Sequence, residues 1–424
     1  MRKVLSLALS LLLLITLLVP CFNASAEDEY FSDEQVEYYK NLGLQGTTIN
    51  VYNWGDYISD GSDDLMNVVA EFERLTGCRV NYTNFESNEN MYSKLAGGGV
   101  SYDVIVPSDY MIERLIDEEM LLPLDFNNIP NFEKYIRDDF RHPFYDPEEK
   151  YTVGFNINYT ALIYNTKLVE ETPDSWSAIW EEQYKGKVLM FNNSRDAFGI
   201  AQSVLGIDPN STSEQDWVDA AELLAKQKDA VEPVYVMDEV FNLMESGEYA
   251  FATYYSGDYL LMVENNEDLD YCFPKEGVNK WYDAFCVPTC SQNKKGAESF
   301  INFMMEPEVA FDNAEYISYC PSNKEIEFDK ESSLYGEEAV YASDLQNYYE
   351  FHNLPQNILE LQNNLWGKVK SGQLSANSKK DEQRVYIISA VITAFVILIL
   401  IISFIKRKRK EKEQDISELY GKSN

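Results

Sequence analysis

Aromatic and acidic residues follow three predicted strands of this chain. Trp54, Asp56 and Tyr57 come after the run 49–53, in which apolar and polar residues alternate. Two further polar or aromatic clusters, at 108–110 and 192–196, each follow an apolar run. Ligands of open parallel sheets bind beyond the carboxyl ends of the strands. Loops without a ligand also carry such residues, so it is their joint enrichment in Trp, Tyr and Asp that favours a binding site.

The chemistry available to such a site is the recognition of cations. An aromatic face attracts a cation by about 0.5–2 kcal/mol, and carboxylates accept charge-assisted hydrogen bonds from ammonium groups. A methylene chain between two ammonium groups would gain about 0.8 kcal/mol for each CH₂ buried against apolar walls. The chain has two histidines, His142 and His352, which leaves little material for histidine-based catalysis or metal binding. A ligand with cationic ends and an aliphatic middle fits these residues.

Strands that alternate with helices must position these residues. Predicted strands cover 49–53, 78–84, 102–106, 187–191, 249–254 and 281–287, and predicted helices cover 63–76, 89–96, 176–180, 197–205, 216–227 and 294–305. Ser62 is the expected cap of the helix 63–76, and Gly77 its expected end. The alternation predicts two α/β units with parallel sheets that are covered on both faces.

Both ends of the chain are predicted to lie outside these units. Residues 1–26 have the basic start, apolar run and small-residue site of a secretory signal peptide. Residues 27–47 are expected to be an acidic tether or a short helix, and 373–384 a flexible linker. Residues 385–405 are uncharged and long enough for a transmembrane helix, and the basic tail 406–424 predicts a cytoplasmic C-terminus. The alternative, a buried core helix, is disfavoured because globular helices of this length are not normally apolar all round.

The net charge and the spacing of the cysteines narrow the range of possible partners and structural sites. Residues 27–405 carry 26 basic against 67 acidic side chains, which disfavours nucleic acid and anionic membrane surfaces as partners. This balance fits a cationic ligand, and equally a soluble acidic surface. The cysteine spacing matches neither a disulfide framework nor a zinc site, although one bridge among the last four cysteines (272, 286, 290 and 320) stays open. We expect no metal and no cofactor.

Five stretches within residues 49–372 carry a more specific signal. They read YNWGDY (52–57), FESNENMYSKL (85–95), YDVIVPSDY (102–110), FPKEGVNKWYDAFCVP (273–288) and INFMMEPEVA (301–310). In this order they resemble the extracellular spermidine/putrescine-binding proteins of bacterial ABC transporters. Each string alone is moderately specific for this family, and the five strings in the right order are strong evidence for it.

The resemblance implies an α/β, two-lobed periplasmic-binding-protein fold (type II-like) that closes on a polyamine about a hinge. It implies a first lobe at 48–158 and 283–327, a second lobe at 159–282 and 328–372, and ABC permease subunits with a cytoplasmic ATPase as partners. The ligand-binding residues that it implies are Trp54, Asp56, Tyr57, Ser108, Tyr110, Asp196, Tyr255, Asp258, Trp281, Asp283 and Tyr319.

Several positions depart from the family's pattern and leave the choice between putrescine and spermidine open. Asn193 stands where spermidine-binding members can have an acid, Tyr255 stands where a tryptophan is usual, and Asp258 is an acid of the putrescine-preferring members. Simpler roles for three of these residues are also open. Tyr255 and Trp281 could pack between the lobes, and Asp196 could cap the helix predicted to start at residue 197.

The favoured function is a receptor without enzymatic activity, held on the outer face of the cell membrane, that delivers polyamine for import. Two alternatives remain. One is a membrane-tethered polyamine sensor, although the tail 406–424 has no recognisable signalling domain. The other is a hydrolase that uses paired carboxylates, although rings around acids serve binding equally well.

Overall fold

The computed structural model describes residues 30–328, 330, 332–342 and 345–374. The strands are β1 (Thr48–Trp54), β2 (Arg79–Phe85), β3 (Val104–Ile105), β4 (Thr152–Asn165), β5 (Val188–Phe191), β6 (Val234–Val236), β7 (Phe251–Tyr255), β8 (Leu269–Cys272), β9 (Val278–Cys286), β10 (Cys320–Pro321) and β11 (Tyr348–Tyr349). The helices are α1 (Asp33–Lys40), α2 (Val68–Thr76), α3 (Asn88–Gly97), α4 (Asp109–Asp117), α5 (Pro130–Tyr135), α6 (Ser194–Leu205), α7 (Glu214–Val231), α8 (Val240–Glu245), α9 (Ser256–Asn265), α10 (Lys294–Met304), α11 (Pro307–Ile317), α12 (Glu338–Tyr341) and α13 (Gln356–Ser371). Short 3₁₀ helices lie at Phe126–Asn128, Asp138–Phe140, Trp176–Trp180 and Glu182–Tyr184.

A mixed sheet runs through the molecule in the strand order β2-β1-β3-β9-β4-β7-β5-β6. The pairs at its two ends, β1 with β2 and β3, and β5 with β6 and β7, are parallel as predicted. The central pairs β3–β9, β9–β4 and β4–β7 are antiparallel. The prediction of parallel sheets is therefore wrong for the centre, because the chain leaves one half of the molecule on β4 and returns on β9.

These two central strands separate two α/β lobes. β1–β3 belong to the first lobe and β5–β8 to the second, while β4 pairs with β9 over 152–159 and with β7 over 160–164. All 14 residues of β4 are buried, since both its faces are covered. The architecture is the two-lobed α/β binding-protein fold that the sequence predicted, and the lobe boundaries given above stay a prediction.

The start of α2 differs from the prediction. The helix begins at Val68 and its cap is Asn67, whose side chain accepts from Ala70 N at 2.9 Å. Asp63 and Asp64 have φ of 54° and 61°. This left-handed conformation cannot continue into a right-handed helix, so Ser62 cannot act as its cap. Gly77 ends the helix with φ 66°, as predicted.

The start of α6 matters for the site, because Asp196 lies there. The helix begins at Ser194, three residues before the predicted start, and Asn193 caps it by accepting from Arg195 N at 2.9 Å. Asp196 therefore lies in the first turn. The suggestion that Asp196 caps a helix starting at residue 197 is wrong, and its carboxylate is available for another role.

Residues 33–40, which fall in the predicted acidic tether, form α1, and this helix packs on the first lobe. The Tyr39 hydroxyl donates to Glu306 Oε1 at 2.6 Å, and Gln35 Nε2 donates to Glu306 Oε2 at 2.9 Å. The predicted signal peptide (1–26), transmembrane helix (385–405) and basic tail lie outside the described residues. Within the described part of the chain, no helix is both long and apolar enough to span a bilayer.

The cysteines of the described residues are all free thiols, namely Cys78, Cys272, Cys286, Cys290 and Cys320. The bridge that the sequence left open is therefore not formed. Burial raises the pKa of the Cys272 thiol to about 12, and it raises the pKa of Cys286 well above the usual value. The raised pKa values make Cys272 and Cys286 poor nucleophiles near neutral pH.

Candidate ligand-binding cleft

The two lobes touch along a cleft that tyrosines and acids line. Tyr319, next to β10 in the first lobe, donates its hydroxyl to Asp258 Oδ2 on α9 of the second lobe at 3.2 Å. A side chain at Gly257 would collide with the backbone oxygen of Ser318. Glycine at this position lets the backbones of the two lobes approach closely here.

Asp283, on β9, is a buried acid of this cleft with an exposed fraction of 1%. Tyr57 donates its hydroxyl to Asp283 Oδ2, and Trp281 Nε1 donates to the same oxygen at 3.3 Å. Asp283 Oδ1 makes no hydrogen bond with the described residues. Burial raises the pKa of Asp283 to about 6, against the lowering effect of the Tyr57 hydrogen bond. The carboxylate thus keeps an acceptor atom for a ligand.

Asp196, in the first turn of α6, is the second buried acid. Asn193 Nδ2 donates to its Oδ2 at 2.7 Å, and the Tyr255 hydroxyl lies 3.5 Å from the same atom. Burial raises the pKa of Asp196 to about 7; the Arg195 charge lowers it, and the Glu89 charge raises it. Glu89 belongs to α3 of the first lobe, so acids of both lobes act on this position.

Tyr110 holds Glu89 in place on the first-lobe side. Its hydroxyl donates to Glu89 Oε1 at 3.0 Å, and Asn88 Nδ2 donates to the Tyr110 oxygen at 3.2 Å. Asn88 Nδ2 also lies 3.1 Å from Ser108 Oγ. The backbone of Ser108 in turn forms an antiparallel bridge with Asp283. Tyr110 therefore positions the Glu89 side chain, and the backbone of Ser108 positions that of Asp283.

Asp258 is the third buried acid. Burial raises the pKa of this carboxyl well above its usual value, the hydrogen bond from Tyr319 lowers it, and the charge of Asp238 raises it. The three buried acids, Asp196, Asp258 and Asp283, receive their described hydrogen bonds from phenols, an indole and one amide. No ion pair within 4.0 Å joins a cationic side chain of the described residues to any of them.

Arg195 is a buried cation beside these acids, but its hydrogen bonds point elsewhere. The guanidinium donates to Pro209 O at 3.0 Å and to Asn210 Oδ1 at 2.8 Å, and it lies 4.1 Å from the centroid of the Phe351 ring. Burial lowers the pKa of Arg195 to about 10. Arg195 therefore ties α6 to its own lobe and leaves the Asp196 carboxylate open to a ligand.

Aromatic rings connect the acids. The Trp281 centroid lies 4.6 Å from that of Tyr255 and 6.2 Å from that of Tyr319. The Tyr57 ring lies 5.7 Å from Tyr319 and 6.3 Å from Trp54. These rings give the cleft flat apolar walls between its carboxylates, which suits an aliphatic chain.

The cleft mouth carries exposed acids from both lobes. Asp56 follows β1 with φ 45°, and its side chain is exposed. Asp238, after β6, accepts from the Tyr254 hydroxyl at 3.2 Å. Burial raises the pKa of Asp238, and the charges of Asp56, Glu239 and Glu86 raise it further, so the acids of the two lobes face each other here.

The structure brings most of the predicted site residues together, namely Trp54, Tyr57, Ser108, Tyr110, Asp196, Tyr255, Asp258, Trp281, Asp283 and Tyr319, and it places Asp56 at the rim. Sequence reasoning missed four polar residues of the same region: Asn88, Glu89, Asn156 and Asp238. Glu89 lies in one of the strings that carry the resemblance, so a residue-by-residue reading of that string could have found it. Asn156 and Asp238 gave no signal, because β4 and β6 were not predicted.

Comparisons with known proteins support this fold and identify the family. Residues 67–337 match the model of the family described as bacterial extracellular solute-binding protein. The chain is 31% identical over 278 residues, 65% of its length and 78% of the relative's, to a spermidine/putrescine-binding periplasmic protein of Salmonella typhimurium. It is also 28% identical to the putrescine-binding periplasmic protein PotF of Escherichia coli, over 67% of this chain and 80% of that one.

Among solved structures, the substrate-binding protein PotD of a Streptococcus pneumoniae spermidine/putrescine ABC transporter superposes with a TM-score of 0.64 at 30% identity, over 77% of this chain and 100% of that one. Fold, cleft and matches together define a two-lobed solute-binding protein. The chain belongs to the bacterial extracellular solute-binding protein family, whose members serve transport.

Proposed function

We propose that this protein captures a polyamine, putrescine or spermidine, in the cleft and delivers it to an ABC permease for import. The observation that carries the proposal is the set of buried acids at 196, 258 and 283, which have raised pKa values and lie among aromatic rings. An isolated buried carboxylate is costly. A ligand with several ammonium groups would supply the missing positive charge, and its methylenes would lie along the rings.

The acids suggest where each ammonium group binds. One position lies at Asp283 and Asp258, beside Trp281, and a second at Asp196 and Glu89. A third, weaker position lies at the mouth, between Asp56 and Asp238. A diamine would occupy two of these positions, and a triamine would occupy all three. The relatives named for spermidine and putrescine support this ligand class.

We further propose that residues 385–405 anchor the protein in the cell membrane, with the binding lobes outside and the tail 406–424 in the cytoplasm. Lys370 Nζ, near the end of α13, donates to Asn192 Oδ1 at 3.1 Å, so the chain leaves the second lobe beside the strand end that precedes Asp196. A short connection from this point would keep the cleft close to a permease in the same membrane. Deleting 385–424 should release the protein into the medium, and unchanged membrane association would refute the anchor.

A thermal-shift panel on the full chain tests the ligand class. Putrescine, cadaverine, spermidine and spermine should raise the melting temperature, whereas neutral diols of the same length should not, because they bring no charge to the buried acids. Equal shifts from the diols, or none from any amine, would refute the proposal.

A further inference from the structure

A small cavity lies inside the first lobe, next to the cleft. Apolar side chains form most of its wall, including Phe155, Phe285, Met304 and Ile317. Polar residues also line it, among them Asn156 and Asn313, each with an exposed fraction of 1%, and Ser322. The cavity has room for about one water molecule.

Both of these cavity-lining asparagines carry an unpartnered polar atom. Asn156 Nδ2 and Asn313 Nδ2 make no hydrogen bond with the described residues. Buried amide groups in folded proteins are almost always paired, with protein or with ordered water. Two such groups on one small cavity therefore indicate a shared partner.

The other atoms of the two amides show which partner fits. Asn313 Oδ1 accepts from Ser59 N at 2.9 Å, which fixes the Asn313 NH₂ group as a donor. Asn156 Oδ1 lies 3.3 Å from the Tyr57 hydroxyl, whose single proton goes to Asp283. The Asn156 amide can therefore present either its nitrogen or its oxygen to the cavity. A water molecule can accept a hydrogen bond from the Asn156 nitrogen or donate one to the Asn156 oxygen. An anion could pair only with the nitrogen, and a cation only with the oxygen.

We propose that this cavity is a binding site for a single structural water molecule, which bridges Asn156 and Asn313. The bridge fastens both ends of the segment 57–59: Asn156 contacts the Tyr57 side chain, and Asn313 holds the Ser59 backbone. Tyr57 is the residue whose hydroxyl donates to Asp283. Asn313 is thus a positioning residue for the ligand-binding acid, although it does not itself reach the cleft. This role rests on the proposed polyamine function, whereas the water site does not.

A high-resolution crystal structure of the ligand-free protein tests the site. The expected result is a density peak within hydrogen-bonding distance of both amides. A cavity without density, or one filled by a shifted side chain, would overturn the proposal. This outcome is independent of the ligand, so a protein that binds no polyamine would refute the proposed function and leave the water site standing.

Two substitutions at Ala314, a buried residue of the same cavity wall, test the positioning role. Ala314→Val fills the space and should remove the peak, whereas Ala314→Gly leaves room for it. We expect A314V to weaken putrescine binding by about three- to tenfold relative to A314G. The midpoint of the affinity-against-pH curve should also move to higher pH in A314V, because Tyr57 no longer lowers the pKa of Asp283 as strongly. Equal affinities and equal pH profiles of the two variants would overturn the positioning role.

Discussion

Trp281 and Asp283 lie two positions apart on β9, and the indole nitrogen of the first donates to the carboxylate of the second at 3.3 Å. Side chains at i and i+2 of a strand lie on the same face. The strand therefore presents an aromatic face and a buried acid together. This pairing gives an ammonium group both of the contacts it needs, a charge and a ring.

Removing the charge of Asp283 should abolish most of the binding. In the variant Asp283→Asn, a buried ammonium group would lose its counter-charge at a cost of about 3–5 kcal/mol, which corresponds to about 150- to 4000-fold in Kd. Calorimetry with putrescine measures the change. Asp270→Asn is the matched control, since this acid of β8 also accepts from a phenol, that of Tyr164 at 2.7 Å, but lies outside the cleft. Equal affinity of D283N and the control would remove Asp283 from the site.

Polyamine affinity should fall in acid. The pKa values of Asp283 and Asp196 are raised to about 6 and about 7, so both acids are charged at pH about 8 and largely protonated at pH about 5. An ammonium ligand binds the charged form, and its binding near neutral pH should release protons. Calorimetry in buffers of different ionisation enthalpy measures this release. An affinity that stays constant over that pH range would contradict the placement of these acids at the ligand.

The stability of the ligand-free protein should show the opposite trend. Since the folded pKa of each acid lies above the unfolded value of about 4, the folded state binds more protons between that value and about 7. Its melting temperature should therefore fall as the pH rises through this window. Saturating spermidine should reduce the fall, and the double variant Asp196→Asn with Asp283→Asn should flatten it. A wild-type melting temperature that rises through the window would contradict the sign.

The contact between Tyr319 and Asp258 should help hold the lobes together. Tyr319→Phe removes the hydroxyl that donates to Asp258, and a typical hydrogen bond contributes about 0.5–1.5 kcal/mol. We expect putrescine binding to weaken by about two- to tenfold, and the radius of gyration in small-angle scattering to increase. Tyr164→Phe is the control, because it removes a matching phenol from Asp270 within the second lobe. The same scattering curve for both variants would show that this contact does not close the cleft.

Asp238 should distinguish a triamine from a diamine. If it takes the third ammonium group, Asp238→Asn should weaken spermidine binding by about three- to fivefold, as expected for an exposed charge pair, and leave putrescine binding unchanged. Glu239→Gln, at the neighbouring exposed position, is the control and should affect neither ligand. An equal loss of affinity for spermidine and putrescine in D238N would contradict this distinction, because the diamine would then also contact the cleft mouth.

The sequence points to candidate site residues where polar and aromatic side chains lie at the ends of well-formed strands. Trp54 is the last residue of β1, Tyr57 follows it, and Asp196 follows β5, so the rule that ligands bind at strand ends was sufficient to propose them. Trp281 and Asp283 came from the resemblance alone, since they lie within β9 rather than at its end. Their role depends on the antiparallel pairing of β9 with β4, which local periodicity does not reveal.

Other features depend on backbone geometry or tertiary contacts that sequence patterns do not encode. β4 was missed because its buried positions include polar residues such as Asn156 and Asn158, which interrupt the apolar pattern. Asp56 was expected inside the cleft, but its positive φ and exposure place it at the rim. Asp238 follows a strand of three residues, too short for a periodic signal, and it becomes relevant only when the lobes close.

Calorimetric titration of the full chain with putrescine and spermidine at pH about 8, where Asp196 and Asp283 are charged, is the most direct test of polyamine binding. We expect the wild type to bind in the micromolar range or tighter, and D283N to lose most of this affinity. No heat with either polyamine and no rise in melting temperature, from a correctly folded wild-type protein, would contradict it.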